Sequence, residues 1–234
     1  MPSTDNPKKR SLMVNEDIDP DLKFRVTEAY KTLRTNLMLS LHKKGCKTIV
    51  VSSCFQEEGK STTSANVALS LAQAGIKVLL IDIDLRKSRI NRFFNVSNTP
   101  GLTNYLGGLT SLTEVIKKTS YENLDIIPGG VLVLNPSEAL ASDVMKEMLE
   151  TVKNNYDFIV LDAPPLNVVS DALPIIKLSD GVLLVLKEGK SKHTDLVKTI
   201  KQIELIEAKI IGFVLNYSSE ASKDSYHYKY NYAE

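Results

Sequence analysis

A strand-like run, KTIVVSS at 47–53, passes through the loop CFQEEGKST into an apolar helical pattern, NVALSLAQAG, that ends at Gly75. Strand, Gly-Lys-Ser and helix in that order admit few folds. The backbone N–H groups of such a loop, with the helix N-terminus behind them, cradle phosphates, and the lysine reaches the outer ones. The stretch matches the phosphate-loop pattern G-x-x-x-x-G-K-[ST] at Gly59, Lys60 and Ser61, with Cys54 in place of the first glycine. That exchange leaves the backbone cradle available, and the Ser61 hydroxyl is placed to ligate a magnesium ion.

The next strand pattern, KVLLIDID at 77–84, ends with Asp82 and Asp84 two apart, hence on one strand face, and Arg86 follows. Two carboxylates so placed repel each other unless a cation lies near. The carboxyl ends of parallel strands are also where open α/β sheets bind ligands. The plainer reading is a pair of solvated acids or a helix cap. A third run, FIVLDAPP at 158–165, is an apolar strand stopped by a proline pair just after Asp162. An acid there can hold magnesium directly or through a water. Three strands thus carry Lys60, Ser61, Asp82, Asp84 and Asp162 toward one phosphate–magnesium site.

Further strands are expected at 124–128, 181–187 and 209–216, with helical patterns between most of them. Near-continuous apolar strands alternating with helices predict an α/β fold, a doubly wound and mostly parallel sheet covered on both faces. Residues 1–20 are polar and proline-punctuated and read as a flexible arm. Leu22, Val26, Ala29, Leu33, Leu37 and Leu41 then recur at helical spacing, predicting an amphipathic helix of about five turns. The division is an arm at 1–20, a phosphate-loop domain at 21–217 and a tyrosine-rich tail at 218–234.

Bulk properties exclude more than they assign. With 43% hydrophobic residues the 234-residue chain can bury a substantial core. A formal charge of +1, with both signs interspersed, lacks the field expected of a nucleic-acid binder. Cys46 and Cys54 suggest neither a disulfide framework nor a metal pattern, which points to a reducing compartment, the cytosol. Apolar runs such as VLLVL at 182–186 fall far short of the roughly 20 residues a membrane helix needs. The basic cluster Lys8–Arg10 is followed by no apolar stretch, so no signal peptide is read; it is a solvated arm or a contact with anionic lipid.

The chain ends SYHYKYNYAE, with Tyr226, Tyr228, Tyr230 and Tyr232 at every second position. Alternation of this kind is the mark of an edge strand with one aromatic face. The polar stretch SSEASKDS before it, and His227, Lys229 and Asn231 between the rings, favour a mobile tail with a task. Both readings stay open on the tail alone.

As a set, these motifs resemble the bacterial tyrosine autokinases, the BY-kinases of capsule and exopolysaccharide synthesis, over nearly the whole chain from about residue 24. EEGKST, Glu58 to Thr62 at its core, is similar to the family's Walker A segment. IDIDLRK resembles its Walker A-prime motif, DAPP its Walker B, and NPSEAL at 135–140 a loop-helix entry. EAYKTLRTNL resembles its oligomerisation helix: Glu28 and Arg34 match E-x-x-R-x-x-R, and Lys31 replaces the middle arginine, keeping charge without the bidentate fork. Ser88 stands where a proline is common.

The resemblance implies an ATP- and Mg2+-dependent protein-tyrosine kinase that phosphorylates the tail tyrosines, in trans within a homo-oligomeric ring. It assigns Glu58, Gly59, Lys60, Ser61, Thr62 and Asn216 to ATP, with Asn216 at the adenine, and Ser61, Asp82 and Asp162 to the metal. Because a tyrosine hydroxyl titrates near ~10 it needs a base; Asp82 is the first choice and Asp84 the second, with Arg86 orienting Asp82 or the nucleotide. The implied partners are a transmembrane polysaccharide copolymerase-type adaptor that recruits a cytoplasmic chain to the inner membrane face, a tyrosine phosphatase, and further protein substrates. The alternative is a partition- or septum-type ATPase switch. Its signature lysine, five positions before the catalytic one, is Phe55 here. A small-molecule kinase or ligase on the same fold would leave the tail without a role.

Overall fold

The computed structural model describes residues 19–41 and 44–217; the arm before residue 19 and the tyrosine segment lie outside them. The described strands are β1 (Lys47–Ser53), β2 (Val78–Asp82), β3 (Lys117–Lys118), β4 (Leu124–Ile127), β5 (Phe158–Asp162), β6 (Gly181–Lys187) and β7 (Ile210–Asn216). They form one seven-stranded sheet in the order β3-β4-β2-β5-β1-β6-β7. Every neighbouring pair is parallel except β3 with β4. β3 is two residues long and antiparallel, too short to leave a period in the sequence.

Alternate residues of the same strands feed two cores. Val50, Leu79, Ile81, Ile159 and Leu161 enter one, while Ile49, Val51, Leu80, Phe158 and Val160 enter the other. A strand buried on both faces carries no polar residue in its middle, which is why these runs are continuously apolar.

Helix α1 (Pro20–Ser40) begins with Asp19 accepting from the Asp21 amide and with Pro20 at the first helical position. Helix α2 (Lys60–Gln73) follows the phosphate loop, and Gly75 closes it in the left-handed region at φ 81°. The apolar stripe of α1 is buried over only part of its predicted length. Tyr30, Leu33, Leu37 and Leu41 pack into the core beneath α2, whereas Leu22 remains 40% exposed and Phe24 67%. Two strands also stop short of their predicted ends. β2 ends at Asp82 because its Oδ1 accepts the Asp84 amide at 3.1 Å and turns the chain. β5 ends at Asp162, just before the proline pair.

Candidate active site

Parallel register decides the site. Asp82 of β2 lies directly opposite Asp162 of β5, and Val51 of β1 flanks Asp162 on the other side. Beyond Ser53 the chain enters the loop and rises into α2 at Gly59, which has φ 92°. Only glycine adopts that conformation without strain, and a Cβ there would collide with the Asn216 side-chain amide. The loop therefore delivers Lys60 and Ser61 to the ends of β2 and β5.

Lys60 Nζ donates to Asp84 Oδ2 at 2.8 Å and to Ser61 Oγ at 3.3 Å, and lies 3.9 Å from Asp162 Oδ2. Burial pulls the Lys60 ammonium down, but Asp162 and Asp84 outweigh it and hold the group above its ordinary value. Asp82 is wholly buried. Burial first, then the Asp162 charge, pushes its carboxyl up to about 7, against hydrogen bonds from Ser88 and the Ile90 amide. Burial also raises Asp162, opposed by Lys60, Ser61 and Ser64. Of three buried carboxylates, Asp84 and Asp162 lie at ion-pair distance from Lys60, and Asp82 feels its charge from farther off.

This is a strongly anionic nest with one unsatisfied corner. Asp162 Oδ1 accepts Ser64 Oγ at 2.9 Å, whereas Asp162 Oδ2 is buried without a hydrogen bond. A buried carboxylate oxygen left over is costly unless a cation takes it. Ser61, Asp82 and Asp162 offer the hard oxygen donors that a magnesium ion prefers, so the residues present fit that ion.

Other predicted site residues lie differently from the sequence expectation. Asp84 sits in the turn after β2, not on the strand face. Arg86 does not orient Asp82. Its guanidinium, about half exposed, makes a bidentate pair with Asp171, at 2.6 Å and 3.2 Å. Glu58 is buried, with its carboxylate accepting the Phe55 amide at 2.8 Å and the Ser191 hydroxyl. It braces the loop from inside, so any contact it makes with a nucleotide comes from its main chain. Asn216, at the end of β7, donates to the Glu58 carbonyl at 3.0 Å and to Thr63 Oγ1 at 3.4 Å, behind the loop. Thr62 is exposed on the first turn of α2. Cys54 is buried against the Thr199 hydroxyl, so the exchange of the loop's first glycine is absorbed as packing.

Two residues hold this geometry to which the sequence assigned no role. Ser88 Oγ donates to Asp82 Oδ2 at 2.7 Å, joined by the amides of Arg89 and Ile90 at 2.9 Å and 3.1 Å, which fixes the carboxylate. The only sequence signal was a hydroxyl six residues past Asp82, where the resemblance expects proline. Asp171, the partner of Arg86, is an acid buried in the stretch VVSDALP, and nothing local marks it.

On the first helix, Glu28 and Lys31 form an ion pair at 2.7 Å, both about half exposed. Arg34 turns inward and donates to the Ser70 carbonyl on α2 at 2.7 Å. Tyr226, Tyr228, Tyr230 and Tyr232 lie outside the described residues.

Residues 46–212 match the AAA domain family. The tyrosine-protein kinase CpsD of Streptococcus agalactiae serotype Ia is 39% identical over 84% of this chain and 84% of its own length. The chain belongs to the bacterial tyrosine-protein kinases. Members of this kinase family also share its fold. The crystal structure of the chimerical protein CapA2B2 superposes with a TM-score of 0.80 at 33% identity, over 87% of this chain and 88% of that one. The kinase domain of the Escherichia coli tyrosine kinase ETK gives 0.79 at 32% identity, over 82% and 75%. A septum site-determining protein, MinD of Pyrococcus horikoshii, solved with Mg-ADP, is more distant within the same fold, at 0.64 and 26% identity over 76% of each chain.

Proposed function

We propose that the chain is an ATP-dependent protein-tyrosine kinase that phosphorylates Tyr226, Tyr228, Tyr230 and Tyr232 of a neighbouring copy. The observation that carries this reading is the register pairing of Asp82 with Asp162 beside Lys60, a buried anionic nest able to handle both a cation and a proton. Lys60 leaves Asp84 for the nucleotide phosphates, joined by the main-chain amides from Glu58 to Thr62. Asn216, beside the loop, is assigned to the adenine end. The phenol oxygen bonds to the γ-phosphorus as the bond to the ADP oxygen breaks, and the phenolic proton passes to Asp82, with Asp84 the second candidate. Asp82 is held for this by Ser88 and two amides. Ser61, Asp82 and Asp162 would hold Mg2+, which when bound offsets negative charge on the phosphates.

Incubating the purified chain with magnesium and ATP, then blotting for phosphotyrosine, tests the reading. Phosphotyrosine appearing with ATP consumption is the expected result. ATP hydrolysis with no phosphotyrosine would replace it with a nucleotide switch of the septum type.

The same reading places the chain in a homo-oligomeric ring that regulates capsular or exopolysaccharide synthesis, at the inner face of the membrane. No helix among the described residues is long and apolar enough to cross a membrane. Recruitment falls to a transmembrane copolymerase-type adaptor, which the likeness to the chimerical CapA2B2 supports, and resetting to a tyrosine phosphatase. Other protein substrates fit the same chemistry.

The ring contact is assigned to the exposed face of α1. Glu28 and Lys31 are free to meet a neighbour, but Arg34 already serves the internal contact with Ser70. Changing Glu28 and Lys31 together to alanine is expected to give a folded monomer by light scattering with an unchanged melting temperature, since an exposed pair contributes only about 0.2–1 kcal/mol. An unchanged oligomer would remove this helix face from the interface.

A further inference from the structure

β4 leaves the sheet beside the carboxylate assigned to take the acceptor's proton. Its last residue, Ile127, pairs with Ile81 of β2, one residue short of Asp82. The Gly129 amide then donates to Ser88 Oγ at 3.3 Å, and a side chain at Gly129 would come within 3.9 Å of the Asp82 carboxyl carbon. The root of this loop is clamped. The carbonyls of Pro128, Gly129, Gly130 and Val131 accept, in order, the Leu102 amide at 2.8 Å, the Thr103 amide at 3.0 Å, Asn98 Nδ2 at 2.6 Å and Thr103 Oγ1 at 2.8 Å. Farther on, Val133 packs against the core and Pro136 is buried.

Between these anchors the loop turns apolar side chains to solvent. Val131 is 43% exposed, Leu132 81% and Leu134 97%. Single exposed leucines mean little, but three exposed apolar side chains within four residues, on a main chain tied down at both ends, form a prepared contact surface. Leu132 lies three residues from Gly129, so at most about 11 Å of chain separates it from the wall of the Asp82 site. Buried acids and an apolar ledge therefore meet at this end of the sheet. An acceptor that suits both brings basic residues and apolar rings together. The chain's own sequence at 226–232, YHYKYNY, has that composition, with His227 and Lys229 between the tyrosines.

We propose that Val131, Leu132 and Leu134 are the dock for the acceptor segment of a second copy: residues flanking the reacting tyrosine rest on this ledge while its hydroxyl reaches Asp82. The inference rests on the kinase reading above and adds what selects the substrate. The ledge favours tyrosines with aromatic or apolar neighbours, and Asp82, Asp84 and Asp162 favour basic ones. A tyrosine already phosphorylated, with about −1.5 to −2 added charges, suits neither surface, so the product is released.

A full-length chain with serine at Tyr226, Tyr228, Tyr230 and Tyr232 has no tail ring to compete, and a synthetic peptide of residues 218–234 then serves as the acceptor. In that background Leu132→Ser with Leu134→Ser is expected to raise the peptide's KM at least about tenfold with magnesium and ATP. The peptide's Kd, read by fluorescence anisotropy without nucleotide, should rise by a similar factor. Both side chains are exposed, so kcat at saturating peptide, ATP affinity and melting temperature should hold. Leu132→Met with Leu134→Met keeps the apolar area and should keep the unaltered KM. An unchanged KM and Kd in the serine pair would overturn the proposal, as would a loss confined to kcat. Loss of the oligomer by light scattering, with peptide affinity kept, would make the ledge a subunit contact and overturn it as well. Leucine-dependent peptide binding with no phosphotyrosine sinks the kinase reading and leaves the dock as a binding site. Phosphotyrosine formed with a leucine-independent KM sinks the dock alone.

Discussion

Lys60→Met is expected to abolish phosphotyrosine formation, with a loss of about 10³-fold or more, the scale on which removing a charge-stabilising donor acts. Lys60 is the described cation at ion-pair distance from Asp84 and Asp162, and in the reaction its charge must move to the phosphates. Phosphoryl transfer offers the protein little covalent chemistry, so the loss falls on charge stabilisation directly. Folding suffers too, because breaking a buried pair costs about 3–5 kcal/mol. The carboxylates of Asp82, Asp84 and Asp162 would then take up protons or draw in a cation. A thermal melt beside the blot separates the two losses: the methionine variant should melt lower and stay folded at the assay temperature. Lys60→Arg keeps the charge but not the compact ammonium, and is expected to restore the melting temperature more than the activity. Appreciable phosphotyrosine in a folded Lys60→Met protein would remove the lysine from the chemistry.

Phenylalanine at Tyr226, Tyr228, Tyr230 and Tyr232 together is expected to eliminate nearly all autophosphorylation while nucleotide binding stays at the level of the unaltered chain. The substitution keeps every ring and deletes only acceptor hydroxyls. The other five tyrosines are all described, and Tyr217 alone among them is exposed. Tyr156 is buried against Asp125, and burial raises the Tyr30 phenol. Tyr217 is therefore the one described rival acceptor, its ring 4.2 Å from the Lys187 ammonium. Mass spectrometry of the variant decides: phosphate retained at the original level on Tyr217 would displace the tail as the substrate. Fully modified, the four tail residues would carry roughly −6 to −8 charges. Such a segment would be expelled from a site lined by Asp82, Asp84 and Asp162, and the phenylalanine variant should accordingly remain assembled in ATP.

The loop and the strand-end acids were legible because each is a local pattern. Gly59-Lys60-Ser61 sits between a strand and a helix, and Asp162 stands between an apolar run and two prolines. Arg86 was not legible. Its partner Asp171 lies 85 residues away in sequence, and an arginine beside two aspartates gives no sign of which acid it will meet. The direction of Arg34 was no more legible: its spacing from Glu28 is that of an exposed helical row, yet its guanidinium turns inward to a carbonyl on α2.

The amino-acid order sufficed for the doubly wound sheet and for the chemistry gathered at its carboxyl edge, since burial on both faces and the phosphate loop each impose a short-range pattern. Tertiary structure alone decided that Asp82 stands opposite Asp162, that Ser88 rather than Arg86 holds Asp82, and that β7 is left at the edge with Phe213 and Leu215 facing outward. Those outcomes depend on strand order and register, which are set by how whole elements pack and which no local run of residues encodes.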